Sequence, residues 1–452
     1  MKMKKQNRGS AILPTLLIIL ILVGAGFTYL DIALTEFRMA YRTQDLQGAL
    51  NLAEGGVEEA MLAMKKDDWT GWKTVTTDQY HKTITDLPMQ NGRMGNITVY
   101  ASIIDESAPI IFSEGKITSS YGSIAKQLRM DLEKKGLFAN GLTAKKAVVF
   151  NGNKIAIDSY DSNNGNYDPT SNRNDNGTVG SLAVTVGAVT SGNADIWGYV
   201  ATGGGTPAIG PSGSVLGEDS PGGSSVDWDR VAMDFYADFP NMSAPSVSSP
   251  LTVLPSSGTI GTSSASSPTY YKIPSYSNQS ADSLVIDGPV VIIIDGDLTI
   301  KGEIQVTSNG NVEMYVGGDV DIGGNGMVNT TTVPENLVLF GTSSTPGQQI
   351  KISGNGALEA AIYAPNADLE LKGSGTGGVF SGAAVADNIT MTGNFEFHYD
   401  EALDDYTKDN SYKVSLWREL IESDERVPLD TPSSMVKYAV SYDKELVSIL
   451  EN

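Results

Sequence analysis

Five aspartates, Asp295, Asp297, Asp319, Asp321 and Asp368, are the residues best suited by type to carry chemistry in this chain. On a β-helical surface, carboxylates gathered on one face beside a well-placed base could cleave a polysaccharide. These five fall in or beside glycine-containing turns, where aspartate commonly bonds nearby backbone, so a structural role is expected. The histidines are His81 and His398 alone, and cysteine is absent. That leaves little scope for a histidine base and none for a thiolate nucleophile, a disulfide or a thiolate metal site. His398-Tyr399-Asp400 suggests an acid–base cluster, but Phe395 and Phe397 alternate beside it, which points to a packed closing strand.

Two further motifs carry little. Gly373-Ser-Gly-Thr-Gly-Gly378 matches a dinucleotide fingerprint in form, yet no helical pattern follows it. Asn172-Arg-Asn-Asp-Asn-Gly177 resembles the start of a calcium loop, but Ala183 stands where the closing glutamate belongs. Calcium held around Asp158, Asp161, Asp168 and Asp175 is therefore set against a solvated loop, and the loop is expected. No catalytic residue, cofactor or metal is assigned, and the chain is not expected to be an enzyme.

What must position any site begins with residues 10–30, SAILPTLLIILILVGAGFTYL, an uncharged apolar run behind Lys2, Lys4, Lys5 and Arg8. As a helix it rises about 30 Å, enough to cross a bilayer core, and its basic flank favours a cytoplasmic N-terminus. A cleaved secretory signal is the competing reading, since Val23 to Gly26 are small, although such apolar cores usually run about 7–15 residues. Helical spacing continues through Asp31–Lys66, with Gly55-Gly56 expected to bend or melt it locally. The formal charge is −22, and the first eight residues contribute +4, leaving −26 beyond them. Nucleic acid and anionic lipid surfaces are thus disfavoured as partners of the exported part.

Between Leu284 and Gly393, apolar-polar-apolar stretches repeatedly end near glycine: Leu298–Ile300, Val320–Ile322, Ile350–Ile352, Leu369–Leu371 and Ile389–Met391. The closing glycines, Gly302, Gly324, Gly354, Gly373 and Gly393, lie 22, 30, 19 and 20 residues apart. Such intervals predict successive coils of a right-handed parallel β-helix, or solenoid, with Asn329–Gln349 as an insertion. Asparagines after glycine, Asn325, Asn355 and Asn394, suit its corners. The alternative is an antiparallel β-sandwich with Asn-Gly hairpins.

Arg8-Gly9-Ser10-Ala11, Glu36-Phe-Arg-Met-Ala40 and Ala49-Leu-Asn-Leu-Ala-Glu54 together resemble the N-terminal region of PilX-type pilus-assembly proteins, over roughly the first 65 residues. The resemblance implies an inner-membrane pilin-like protein with prepilin-type processing between Gly9 and Ser10. Cleavage there would make Pro14 the fifth mature residue, where major pilins carry a glutamate that pairs with a neighbour's terminal amine. Pro14 cannot do this, which fits a minor, tip-like subunit or an uncleaved anchor. Residues 140–403, with Ala360-Ala-Ile-Tyr-Ala-Pro-Asn366 and His398-Tyr-Asp-Glu-Ala-Leu403, resemble an uncharacterised β-rich domain found behind such N-termini and, more distantly, bactofilin-like β-helices.

The expected organisation is α+β to mainly β. A basic leader spans 1–9, a transmembrane and amphipathic helix 10–66, and a small α+β headpiece 67–139. A β-rich region with long loops covers 140–239, a Ser/Pro-rich linker 240–283, the solenoid 284–403, and a cap or tail 404–452 with a short helix near Leu416-Trp417. The expected function is a structural one: a minor component or accessory of type IV pilus or pseudopilus assembly, exposed outside a bacterial inner membrane or at the cell surface. Its expected partners are that membrane, other pilin-like subunits and further copies of itself, and not nucleic acid. The alternatives are a membrane-tethered polysaccharide-active enzyme and an envelope scaffold or adhesin outside any pilus.

Overall fold

The computed structural model describes residues 12–119, 122–134, 136–247, 253–323, 326–354, 357–373, 378–408 and 412–429. The leader, Gly9, Ser10, Asn325, Asn355, the interior of the Gly373–Gly378 motif and the tail beyond 429 lie outside the described residues. The fold is mostly β, with one long N-terminal apolar helix and a large parallel sheet. The chain divides at Lys134/Lys135 and again at Lys408/Asp409 into two compact units.

In the first unit the helix runs unbroken over Ile12–Lys66. Its N-terminal half leaves Leu16 through Tyr41 exposed, and it is long and apolar enough to cross a membrane by length and composition. Its C-terminal half buries Asp45, Ala49, Ala53, Val57, Ala60 and Met64, spaced by three or four residues so that they share one face. That face packs on an antiparallel sheet of Lys73–Thr76, Gln79–Pro88, Met94–Ser102, Ile110–Ser119, Gly122–Lys134 and Tyr412–Leu420, in that order. The last strand corrects the sequence expectation. Tyr412–Leu420 is an edge strand paired antiparallel with Gly122–Lys134, not a helix and not a solenoid cap. The helical pattern around Leu416-Trp417 and Leu420-Ile421 gives way because the open edge of the sheet offers the segment backbone partners, while a lone short helix is marginal.

In the second unit the named strands pair in parallel, which excludes the antiparallel sandwich of hairpins for the described residues. The five repeated stretches stack in register: Leu298 faces Val320, then Ile350, Leu369 and Ile389. All five side chains are buried, each contributing about 1.5–3 kcal/mol of apolar burial. A second column runs Ile292, Met314, Leu339, Ile362, Ala384, then Leu142, Val179 and Val200. Residues 140–239 therefore extend the same seventeen-stranded sheet as 284–403.

Val231–Ala232 pairs with Val200–Ala201 and Thr269–Ile273 with Val290–Ile294, so the segment expected as a linker runs from one end of the sheet to the other. Phe239, Met242, Ala244 and Val247 are half-buried against the core, and Tyr363 Oη donates to Pro240 O at 2.9 Å. Beyond it, Gly258–Ile260, Thr269–Ile273 and Tyr276–Ser277 are strands of their own. The 240–283 segment thus holds a packed strap, one strand of a separate four-stranded parallel sheet and two strands of the large one, despite its Ser/Pro-rich composition.

Candidate functional site

The helix docks because small residues let two backbones approach. A Cβ on Gly115 would lie 2.0 Å from Ala49 O, and one on Gly56 would meet Ser113 Oγ at 2.2 Å. Gly56 thus serves close packing, and the helix continues through Gly55-Gly56 without local melting. Arg93 Nη1 donates to Asp45 Oδ1 at 2.5 Å, Nη2 donates to Gln44 Oε1 at 2.8 Å, and the guanidinium covers the Tyr41 ring. With both Arg93 and Asp45 buried, this pair pins the helix where its exposed half begins. Lys82 pairs with Glu59 one helical stretch further on, at 2.5 Å.

Asp297, Asp319 and Asp368 of the repeats form a ladder of cross-strand hydrogen bonds. Asp297 Oδ1 accepts from the amide of Asp319, and Asp319 Oδ1 accepts from the amide of Gln349, both at 2.9 Å. Gln349 Nε2 donates to Asp368 Oδ2 at 3.0 Å, and Asn388 Nδ2 donates to Asp368 Oδ1 at 2.7 Å. Asp295 pairs with Lys272 at 3.2 Å. Each ladder carboxylate therefore bonds the neighbouring strand rather than its own turn.

The calcium-like loop distributes its charges in the same way. Asp161 accepts from the Asn163 amide and Asp168 from those of Thr170 and Ser171, contacts that hold the Asp168 carboxyl below its ordinary range. Burial opposes ionisation of Asp175, but the Glu218 amide and Arg230 outweigh it and keep that carboxyl low. Asn172 Nδ2 donates to the carbonyls of Asp161 and Gly165, so its side chain faces acceptors and not a cation.

Asp158 is the exception and gathers three side chains around one carboxylate. Its Oδ1 lies 2.5 Å from His398 Nδ1, and its Oδ2 accepts from Tyr167 Oη at 2.8 Å and Arg173 Nε at 2.7 Å. The Tyr167 ring stacks on His398 with centroids 3.6 Å apart, and Arg173 covers Trp197. His398 Nε2 approaches Glu396 at 3.8 Å. The strand pairing that sets His398 opposite Asp158 places this group. Arg173 and Tyr167 were missed from sequence, because isolated residues in an Asn-rich loop carry no periodic signal. The cluster is saturated by its own members and ties the 161–176 loop to two strands.

Asp400, next along the strand, is fully buried. Its Oδ1 accepts from the Ser162 amide at 2.9 Å, while Oδ2 has no partner. Burial pushes its carboxyl above the usual 3.8, and burial raises Glu335 and Glu359 nearby as well. A raised folded-state value means that the native state holds the proton more tightly than the unfolded chain. This contribution is present in full below the unfolded value and is lost as pH rises through the folded one. Asp400→Asn is expected to raise stability at neutral pH by about 1–2 kcal/mol, with the gain shrinking in acid. Thermal unfolding at several pH values checks it; a gain equal at all pH values would contradict the assignment.

Among the described residues no three histidines or carboxylates gather as a metal site. A family model described as a domain of unknown function (DUF7305) matches residues 246–406, and that description assigns no activity. No curated protein matches the chain. Among solved structures, the competence-associated pilin ComZ from Thermus thermophilus is similar at 12% identity, covering 84% of this chain and 98% of that chain, with a TM-score of 0.23. A superposition at that level establishes no common fold.

Proposed function

We propose that this protein is a membrane-anchored, pilin-like structural subunit, a minor component or accessory of type IV pilus or pseudopilus assembly. The observation that carries the reading is the division of one continuous helix. Residues 45–64 are docked on an antiparallel sheet, while Leu16 through Leu30 present an uncharged, largely apolar surface on every side. Such a surface is stable in lipid, or against the equivalent helices of other subunits, and unstable in water. The helix would leave the bilayer by exchanging lipid contact for helix contact. The parallel sheet is read as a β-solenoid displayed outside the inner membrane, supported by residue columns that advance one strand per 19 to 30 residues. No reaction is assigned, because the ladder aspartates are bonded to backbone and amide groups.

Pro14 favours a second reading, a permanently anchored envelope scaffold. Mass spectrometry of the mature N-terminus separates the two. Ser10 as first residue is the expected result, and an intact basic leader would overturn processing at Gly9.

A further inference from the structure

The corner that follows Ala364, Ala386 and Ala144 carries a group that the ladder does not explain. These three alanines are register partners in consecutive parallel strands, and the register shifts immediately after the 364 and 386 positions. Asn366, Asp387 and Lys145-Lys146 thereby occupy the same corner of three neighbouring strands. Lys145 reaches past the middle strand, two strand spacings or about 10 Å, to place Nζ 3.1 Å from Asn366 Oδ1. Asp387 lies in the strand between them, buried, with Oδ2 held by Lys146 Nζ at 2.5 Å. Asn366 is buried too, and its Nδ2 donates to Asn241 Oδ1 at 2.8 Å and Ser343 O at 2.7 Å. These two bonds fix the amide plane so that its carbonyl end faces the lysine.

We propose that Lys145 and Asn366 form an intramolecular isopeptide bond, with Asp387 as the proton-transfer group. The ammonium of Lys145 gives a proton to the Asp387 carboxylate, and the freed Nζ lone pair adds to Asn366 Cγ. The new C–N bond forms as Cγ–Nδ2 breaks, and Asp387 hands protons from Nζ to the departing nitrogen. Overall, one lysine ammonium and one primary amide give one secondary amide and one ammonium ion, with no change of oxidation state. The bonds to Asn241 and Ser343 hold the amide against the nucleophile, and Asp387 exchanges its contact with Lys146 for the Lys145 proton as the step begins. The bond would join strand Leu142–Tyr160 to strand Ala357–Gly373 across the strand that separates them. It would give a chain with no cysteine a covalent clasp inside its sheet.

The full-length protein, extracted in detergent, tests this by intact mass followed by trypsin mapping. The expected result is a mass short by one ammonia, no cleavage after Lys145, and a branched peptide joining the Lys145 and Asn366 segments. Lys145→Arg and Asp387→Ala should each restore the full mass. An unmodified mass would overturn the proposal, and so would loss of ammonia traced to an asparagine with Lys145 free. A branched peptide that persists in Asp387→Ala would remove Asp387 from the chemistry. The wild-type measurement decides the bond even where a variant fails to fold.

Discussion

Gly115→Leu is expected to separate the helix from its sheet and to destabilise the first unit by about 3–5 kcal/mol. The atoms in the way are backbone: Ala49 O at 2.0 Å and Ala53 N at 2.5 Å from the added Cβ. A side chain can rotate away from such a clash, but a helix backbone must move as a whole. Moving it opens the packing of Ala49, Ala53, Val57 and Ala60, whose small size works only at close approach. Chemical denaturation of the detergent-solubilised protein, followed by tryptophan fluorescence from Trp69 and Trp72, reads the effect. Both rings pack at this helix–sheet junction, so they report it directly. Gly26→Ala is the control. Nothing lies within 4 Å of a Cβ there, and a change below about 0.5 kcal/mol is expected. Equal effects at the two positions would contradict the docking geometry.

Asp158→Ala is expected to cost about 3–5 kcal/mol in the second unit. The carboxylate holds three groups at once, His398, Tyr167 and Arg173, at 2.5, 2.8 and 2.7 Å. Removing it leaves the buried His398 imidazole without its partner, while the half-buried Tyr167 hydroxyl and the partly exposed Arg173 lose the acceptor that holds them to the strand. The loop 161–176 should then loosen, because Asp158 holds two of its side chains, Tyr167 and Arg173. Limited proteolysis is expected to cut that loop in the variant and spare it in the wild type. Asp168→Ala, whose carboxylate serves only its own turn, should leave the cleavage pattern of the sheet strands unchanged. Identical proteolysis of wild type and Asp158→Ala would show that the cluster does not secure the loop.

Much of the architecture was legible in residue order. The five apolar-polar-apolar stretches fall on one another in register, because a period of two sends both apolar side chains to the same face in every strand. The membrane-length helix was legible for a similar reason: an uncharged run needs no partner to be recognised. The ladder was half legible. Asp297, Asp319 and Asp368 were expected to serve turns, and they do structural work, but across strands. A carboxylate's partner one coil away lies about 20–30 residues distant in sequence, and no local rule identifies it.

Other features could not be read at all. Tyr412–Leu420 looked helical because Leu416, Leu420 and Ile421 share a helical face, yet the open edge of Gly122–Lys134 decided its conformation. The linker reading of 240–283 failed because composition reports exposure on average, whereas Phe239, Met242 and Val247 are enough to fasten a strap. Nor could sequence reveal that Leu142–Tyr160 neighbours Gly378–Asp400, more than two hundred residues later.

That adjacency sets His398 against Asp158 and brings Lys145 to Asn366. By itself the sequence determined what each segment would bury: an apolar run of membrane-crossing length, an amphipathic continuation of that helix, and strands whose alternating apolar side chains share one face. Only the tertiary structure decided which segment each would meet. Burial is a one-body property written in hydrophobicity and period, while pairing across a sheet is chosen among many compatible partners by register, loop closure and the saturation of buried polar groups.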